Sequence, residues 1–337
     1  MPSEASVVAS RDARVGRILL NRPKALNALD LDMIRACTQA LKTWRDDPHV
    51  HAVVIEGAGD RAFCAGGDIR AVRQFHLENR SDQVEAFFSE EYALNFLIAT
   101  YPKPYIALID GICMGGGIGV SVHGAYRVAT EHAVFAMPET AIGFFPDIGA
   151  TYFLPRLPGR LGFYLALTGA RMTGADSVHA GLATHFTPRE HLAALSRDLA
   201  TDGPAALARY ATTLPPFSLA SHRKLIDLCF GSASMLDILH HLESSHDTFA
   251  RETAATLRGM SASSLVWSLR LLQQGANRTL RQCLDAELCA TRTITPYREF
   301  IEGVRAMVVD KDRQPRWTPA RVEDVDHAEI ESLLKEC

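Results

Sequence analysis

The chain has 337 residues, 47% of them hydrophobic and 22% charged, with a formal net charge of -4. That balance describes a globular protein and excludes a strongly basic face for nucleic acid. No apolar run is long enough to cross a bilayer, so no membrane partner is expected.

In chain order, Val15 to Leu20 is a short apolar run ending at the turn signal Asn21-Arg22-Pro23. A helix follows, with Met33, Ile34, Cys37, Leu41 and Trp44 at three- and four-residue spacings and Asp30 as its N-cap. Ala52 to Ile55 and Tyr105 to Ile109 are continuous β-favouring runs, each closed by a glycine-bearing turn, and residues 84–100 between them have helical spacing. Short apolar strands alternating with helices predict a buried α/β core. From Glu190 to Val309 strand signals fade, and helical patterns cover Leu192–Leu199, Leu219–Cys229, Met235–Leu242 and Leu265–Leu272. The expected organisation is an α/β core over residues 1–200 and a helical C-terminal region over 201–337.

The opening residues lack a basic stretch followed by an apolar run, so the cytoplasm is the expected location. Seven cysteines (Cys37, Cys64, Cys113, Cys229, Cys283, Cys289 and Cys337) are scattered without CxxC spacing. An odd, dispersed set reads as reduced thiols, not as a disulfide framework or a zinc site.

Three segments carry candidate chemistry. Around Gly66-Gly67, two glycines after a strand and before a helix let backbone N–H groups point at an anion. The plainer alternative is a strand-to-helix turn. The cluster Gly115-Gly116-Gly117-Ile118-Gly119 opens a helix-compatible stretch running to His123. It matches neither the dinucleotide fingerprint nor the P-loop, and it misses the nucleophile elbow at His123. It suits an anion other than a nucleotide phosphate, or else close helix packing. The loop Met137–Gly149 places Glu139 and Asp147 eight residues apart among apolar residues, where desolvation and mutual repulsion raise a pKa. Such a pair can divide acid, base and nucleophile roles; a capping role is the commoner fate of a single carboxylate. Arg156 and Arg160 flank Leu-Pro-Gly and read as surface or phosphate-facing groups.

Taken together and in this order, the segments resemble the crotonase (enoyl-CoA hydratase/isomerase) superfamily. The matching pieces are Asn21 to Ala28, the loop from Cys64 to Ile69, the cluster from Met114 to Gly117, and Met137-Pro138-Glu139, within roughly residues 15–190. The resemblance implies a crotonase-like spiral of ββα units in which the N–H groups of Gly67 and Gly116 form an oxyanion hole for a thioester carbonyl. It also implies that Lys24, Ala25, Ala65, Asp68 and Ile69 contact CoA. Hydratases of the superfamily use two glutamates; here the first of those positions is Gly119 and the second is Glu139.

That combination, with Asp147, Phe87 to Tyr92 and Pro102 to Ala107, resembles a branch that hydrolyses short branched hydroxyacyl-CoA thioesters. Ala150 departs from the branch, in which two glycines are frequent there. By this resemblance Glu139 and Asp147 are catalytic and Glu91 holds the substrate hydroxyl. No metal or redox cofactor is implied, CoA being part of the substrate. A homo-oligomer through the C-terminal helices is implied, or a C-terminal region that covers the chain's own site. The alternatives are a hydratase or isomerase working with Glu139, and a non-catalytic acyl-CoA-binding protein.

Overall fold

The computed structural model describes residues 5–335 and 337. The chain forms two compact units whose segments interleave. One comprises the residues up to Asp68 with Glu90–Phe135 and Arg171–Ser218; the other comprises Ile69–Ser89, Ala136–Ala170 and Leu219–Cys337. They are not the consecutive segments 1–200 and 201–337, because Ile69–Ser89 and Ala136–Ala170 group with Leu219–Cys337.

Ten strands are present among the described residues: β1 (Val7–Asp12), β2 (Val15–Leu20), β3 (Ala52–Gly57), β4 (Ala62–Cys64), β5 (Tyr105–Ile109), β6 (Ile112–Met114), β7 (Tyr126–Ala129), β8 (Val134–Ala136), β9 (Met172–Thr173) and β10 (His185–Phe186). The first unit holds a six-stranded sheet in the order β1-β2-β3-β5-β7-β10. Its β1–β2 pair is antiparallel and its other pairs are parallel. A smaller sheet has the order β4-β6-β8-β9. Along the chain, a strand of the large sheet is followed by a strand of the small sheet and then by a helical turn: β3, β4 and Ile69–Leu77; β5, β6 and Gly116–Val122; β7, β8 and Glu139–Ile142. This repetition is the expected ββα spiral.

The apolar runs become the central strands because a parallel sheet is covered on both faces. On one face Val15, Ala52, Val54, Ile106, Leu108 and Val128 meet Leu195, Leu199, Ala206 and Leu207. The helix Leu31–Arg45 buries all five of its predicted apolar residues, and the Asp30 carboxylate accepts the Met33 N–H at 2.8 Å. The sequence reading missed β1 and β7, in which polar residues interrupt the apolar ones, and β4, β6, β8, β9 and β10, each of only two or three residues, too few for an alternation to register.

The second unit is mostly helical. Met235–Glu243, Thr248–Gly259, Ala262–Gly275 and Leu280–Ile294 each start on a side-chain cap, from Ser234, Asp247, Ser261 and Thr279. The pattern over Leu219–Cys229 resolves into a 3-10 turn, Ala220–His222, and a helix, Arg223–Cys229. The structure corrects the reading of seven reduced thiols: Cys289 is disulfide-bonded to Cys337, with their Cα atoms 5.5 Å apart. A separation of 48 residues has no local signature, and the pairing exists only because the chain end returns to the helix Leu280–Ile294. The other five cysteines are free and buried. Among the described residues no helix is long and apolar enough to cross a membrane.

One glycine decides how the helix Gly116–Val122 sits on β4. A Cβ on Gly117 would collide with the Cys64 carbonyl oxygen, so backbone lies directly on backbone there. Gly117→Ala is therefore expected to cost at least about 2 kcal/mol by overpacking, read from the urea unfolding midpoint. A midpoint equal to that of the unsubstituted protein would contradict this packing.

Candidate active site

In the first unit, Leu29 straddles Gly67. Its N–H donates to the Gly66 carbonyl at 2.8 Å, and its carbonyl accepts the Asp68 N–H at 2.8 Å. These two bonds make the isolated parallel bridge between Leu29 and Gly67, and they leave the Gly67 N–H outside the ladder. Gly66 reaches this turn at φ +118, a conformation that favours glycine. Gly116 is the first residue of its helix, where an N–H has no intrahelical acceptor; the backbone turns back only at Ile118, whose N–H reaches the Gly115 carbonyl at 2.8 Å. A Cβ added to Gly116 would lie 3.1 Å from the Gly67 nitrogen and 2.5 Å from Glu91 Oε1. Gly67, Gly116 and Glu91 are thus neighbours, packed so closely that position 116 has no room for a side chain. Glu91 is 2% exposed and projects from the helix Ser81–Ala99.

The expected CoA contacts are dispersed. Lys24 lines an open cleft of about 180 Å³ with Pro23, Asn27, Gly59, Asp60 and Arg61. Ala25, Ala65, Asp68 and Ile69 do not line it. The Ala65 N–H donates to Leu26 at 3.0 Å, and Asp68 pairs with Arg22 at 3.3 Å, so these two fix the loop that carries Lys24. The residue the sequence reading passed over is Asn27. Fully buried, it accepts the Arg22 N–H and donates to the carbonyls of Ala58 and Ala62, each at 2.9 Å, joining the two walls of the cleft.

The two loop carboxylates lie in the second unit. Glu139 opens the 3-10 turn Glu139–Ile142, and Glu139 and Asp147 are each 6% exposed. The loop is clamped by its neighbours: Thr140 donates to the Leu167 carbonyl at 3.1 Å, Trp267 Nε1 donates to the Phe144 carbonyl at 3.0 Å, and Ser264 donates to the same oxygen. Phe144 touches the rings of Phe88, Phe145 and Phe300, with centroids 4.4 to 5.7 Å away, so the surroundings are apolar. Oε2 of Glu139 has no hydrogen-bond partner. Burial, and then the charge of Asp147, hold the Glu139 carboxyl well above the usual carboxylate range.

A third buried carboxylate, Glu287, was not anticipated. It sits on the helix Leu280–Ile294 at zero exposure and accepts from Gly149 N–H at 2.6 Å, Thr151 N–H at 3.0 Å and Thr151 Oγ at 2.6 Å. Burial raises it to about 8 against the pull of those donors. An Ala-Glu-Leu stretch within an ordinary helix offers no signal for such a role. Arg156, read from the sequence as a surface or phosphate-facing group, donates to the carbonyls of Tyr152, Gly275 and Arg278 and lies 3.9 Å above the Tyr152 ring.

A raised carboxyl keeps its proton in the fold at a pH where the unfolded chain has already lost it. Its contribution to stability is full below the ordinary carboxylate range and is lost as pH rises through the folded value. Stability should therefore fall from about pH 4.5 upward for both Glu139 and Glu287, the latter up to about 8. Glu139→Gln has no carboxyl to ionise, so its thermal midpoint is expected to fall less steeply than the unsubstituted protein's between pH 5 and roughly 8. Parallel slopes for the two proteins would show that Glu139 is not so shifted.

The model of the enoyl-CoA hydratase/isomerase family matches residues 15–334. The mitochondrial 3-hydroxyisobutyryl-CoA hydrolase of Mus musculus is 44% identical over 98% of this chain and 89% of its own length. The protein of the same name from Xenopus tropicalis is 46% identical over 95% of this chain and 86% of its own. Among solved structures, a carnitinyl-CoA dehydratase from Mycobacterium thermoresistibile is similar at TM-score 0.94 and 37% identity, covering 98% of this chain and 96% of that one. An enoyl-CoA hydratase from Rhodobacter sphaeroides 2.4.1 is similar at TM-score 0.92 and 38% identity, covering 98% and 97%. With a matching family model, a ββα spiral and both glycine loops in place, the chain belongs to the enoyl-CoA hydratase/isomerase family and has the crotonase fold.

Proposed function

We propose that the chain is a thioester hydrolase that cleaves 3-hydroxyisobutyryl-CoA to 3-hydroxyisobutyrate and CoA, a step of valine breakdown. The observation that carries the reading is the buried Glu139 carboxylate with an unpartnered Oε2. The choice of acyl group is supported by the names of relatives 41–46% identical to this chain.

In this reading the N–H groups of Gly67 and Gly116 donate to the thioester oxygen and stabilise its charge as the tetrahedral intermediate forms, each worth about 3 kcal/mol of barrier. Glu139 works in one of two ways. As a nucleophile it bonds to the acyl carbon and expels the CoA thiolate, and water then opens the acyl-enzyme anhydride. As a base it takes a proton from the attacking water, and burial beside Asp147, which raises its pKa, makes it a stronger base than an exposed carboxylate. Either route consumes one water and releases one carboxylic acid and one thiol. Proton and acyl transfer suffice, so no metal or redox cofactor enters the proposal. Asp147 positions the water or shares the proton, and Glu91 accepts a hydrogen bond from the 3-hydroxyl, which disfavours acyl groups that lack one. The cleft holding Lys24 and Arg61 supplies cations for the CoA phosphates.

The hydratase and dehydratase names of the two similar structures favour a second reading, addition of water across a double bond. Against it, position 119 is a glycine in the helix Gly116–Val122, where two-carboxylate hydration needs an acid. The named relatives are mitochondrial proteins; for this chain the cytoplasm remains the proposal, and recovery in the cytosolic fraction of its native cells is expected. Recovery in an organelle would refute that location.

The decisive experiment follows free thiol release from (S)-3-hydroxyisobutyryl-CoA. Glu139→Gln and Asp147→Asn are each expected to slow release by about 10²- to 10⁴-fold. Hydration of crotonyl-CoA without any thiol release would instead select the second reading, and binding of acyl-CoA without turnover would make the chain a carrier.

A further inference from the structure

The segment that follows Asp147 is strained. Ile148 has φ +57 and Gly149 φ +81, two consecutive left-handed residues, and the first is β-branched and 1% exposed. A β-branched residue rarely adopts that conformation and does so only where surrounding contacts enforce it. One buried side chain binds the backbone immediately after it. Glu287 takes the Gly149 N–H on Oε2 and both Thr151 donors on Oε1, using both oxygens on one short stretch of backbone. All three contacts are made by donors, and both oxygens of a carboxyl can accept them whether or not it holds its proton, which an amide nitrogen cannot do. No described cation pairs with Glu287. Burying such a group is costly, and a neutral turn with ordinary dihedrals would not require it.

We propose that Glu287 is a positioning residue that holds the left-handed turn Ile148-Gly149 and so aims the Asp147 carboxyl at its task. The proposal rests on the reading of Asp147 as a catalytic group. Glu287 touches no substrate; it acts by fixing the two residues that follow Asp147. Glu287→Gln leaves one acceptor oxygen and turns an amide N–H₂ toward either the Gly149 or the Thr151 donor. That loses a hydrogen bond and sets donor against donor, and the turn then relaxes. Thr151→Val removes only the hydroxyl contact and keeps the side-chain volume close to the original.

The test is a double-mutant cycle on the full chain, with kcat and KM for (S)-3-hydroxyisobutyryl-CoA as readouts. Glu287→Gln is expected to lower kcat by about 10- to 100-fold, the scale of a misplaced reacting group, while KM changes by less than about twofold. Thr151→Val is expected to lower kcat in the same direction by a smaller factor. In the Asp147→Asn background neither substitution should slow the reaction further, because the group they position is already gone. A rise in KM at unchanged kcat, or a loss that multiplies in full in the Asp147→Asn background, would overturn the proposal. If Glu287→Gln does not fold, Thr151→Val carries the same cycle with the same two outcomes. Asp147→Asn at the unsubstituted rate would sink the reading of Asp147 itself. A slow Asp147→Asn beside unimpaired Glu287 and Thr151 variants would sink the positioning role alone.

Discussion

Burying a carboxylate without giving both of its oxygens partners is among the more expensive things a fold can do, and the second unit is organised around doing it at Glu139. The cost is set by desolvation, since apolar rings gather round the loop and the nearby Asp147 adds charge repulsion. The group stays where it is because the backbone of its loop is over-determined. Ser264 and Trp267 both donate to the Phe144 carbonyl, and Gly143 takes a left-handed φ of +67 with no room for a side chain against Glu299.

The first unit meets the opposite demand. The oxyanion site proposed there needs donors with nothing bound to them, and regular secondary structure tends to satisfy every donor. Two local exceptions provide them. A single parallel bridge skips the Gly67 N–H, and the first turn of a helix leaves the Gly116 N–H without an acceptor. Neither requires a special side chain; both require the absence of one. The close approach of the Gly116 Cα to the Gly67 nitrogen and to Glu91 is possible only without a Cβ. Glycine at 117 then lets the helix rest on β4, which holds the two loops at a constant separation.

Strands rich in apolar residues were legible in the sequence, as β2, β3 and β5 illustrate, and so was the helix Leu31–Arg45 from its three- and four-residue spacing. So were the two glycine loops and the Glu139–Asp147 loop, whose composition is unusual for their place in the chain. The small sheet was not legible, because strands such as β6 and β9 are too short to show a period and exist only through their neighbours. Glu287 was hidden for a related reason. A helix residue advertises nothing about acceptor duty toward backbone 136 to 138 positions away. The bond between Cys289 and Cys337 likewise depends on where the chain end lands.

By itself, then, the sequence determined the family and, through that resemblance, the expectation of a ββα spiral and of candidate site residues, because the matching pieces are short stretches whose residue types are chemically constrained. The tertiary structure alone decided which N–H groups remain unsatisfied, which carboxylates lose their water, and which buried acceptor holds the turn after Asp147. Those properties are sums over neighbours distant in the chain, and no local stretch of residues encodes a desolvation or a missing hydrogen bond.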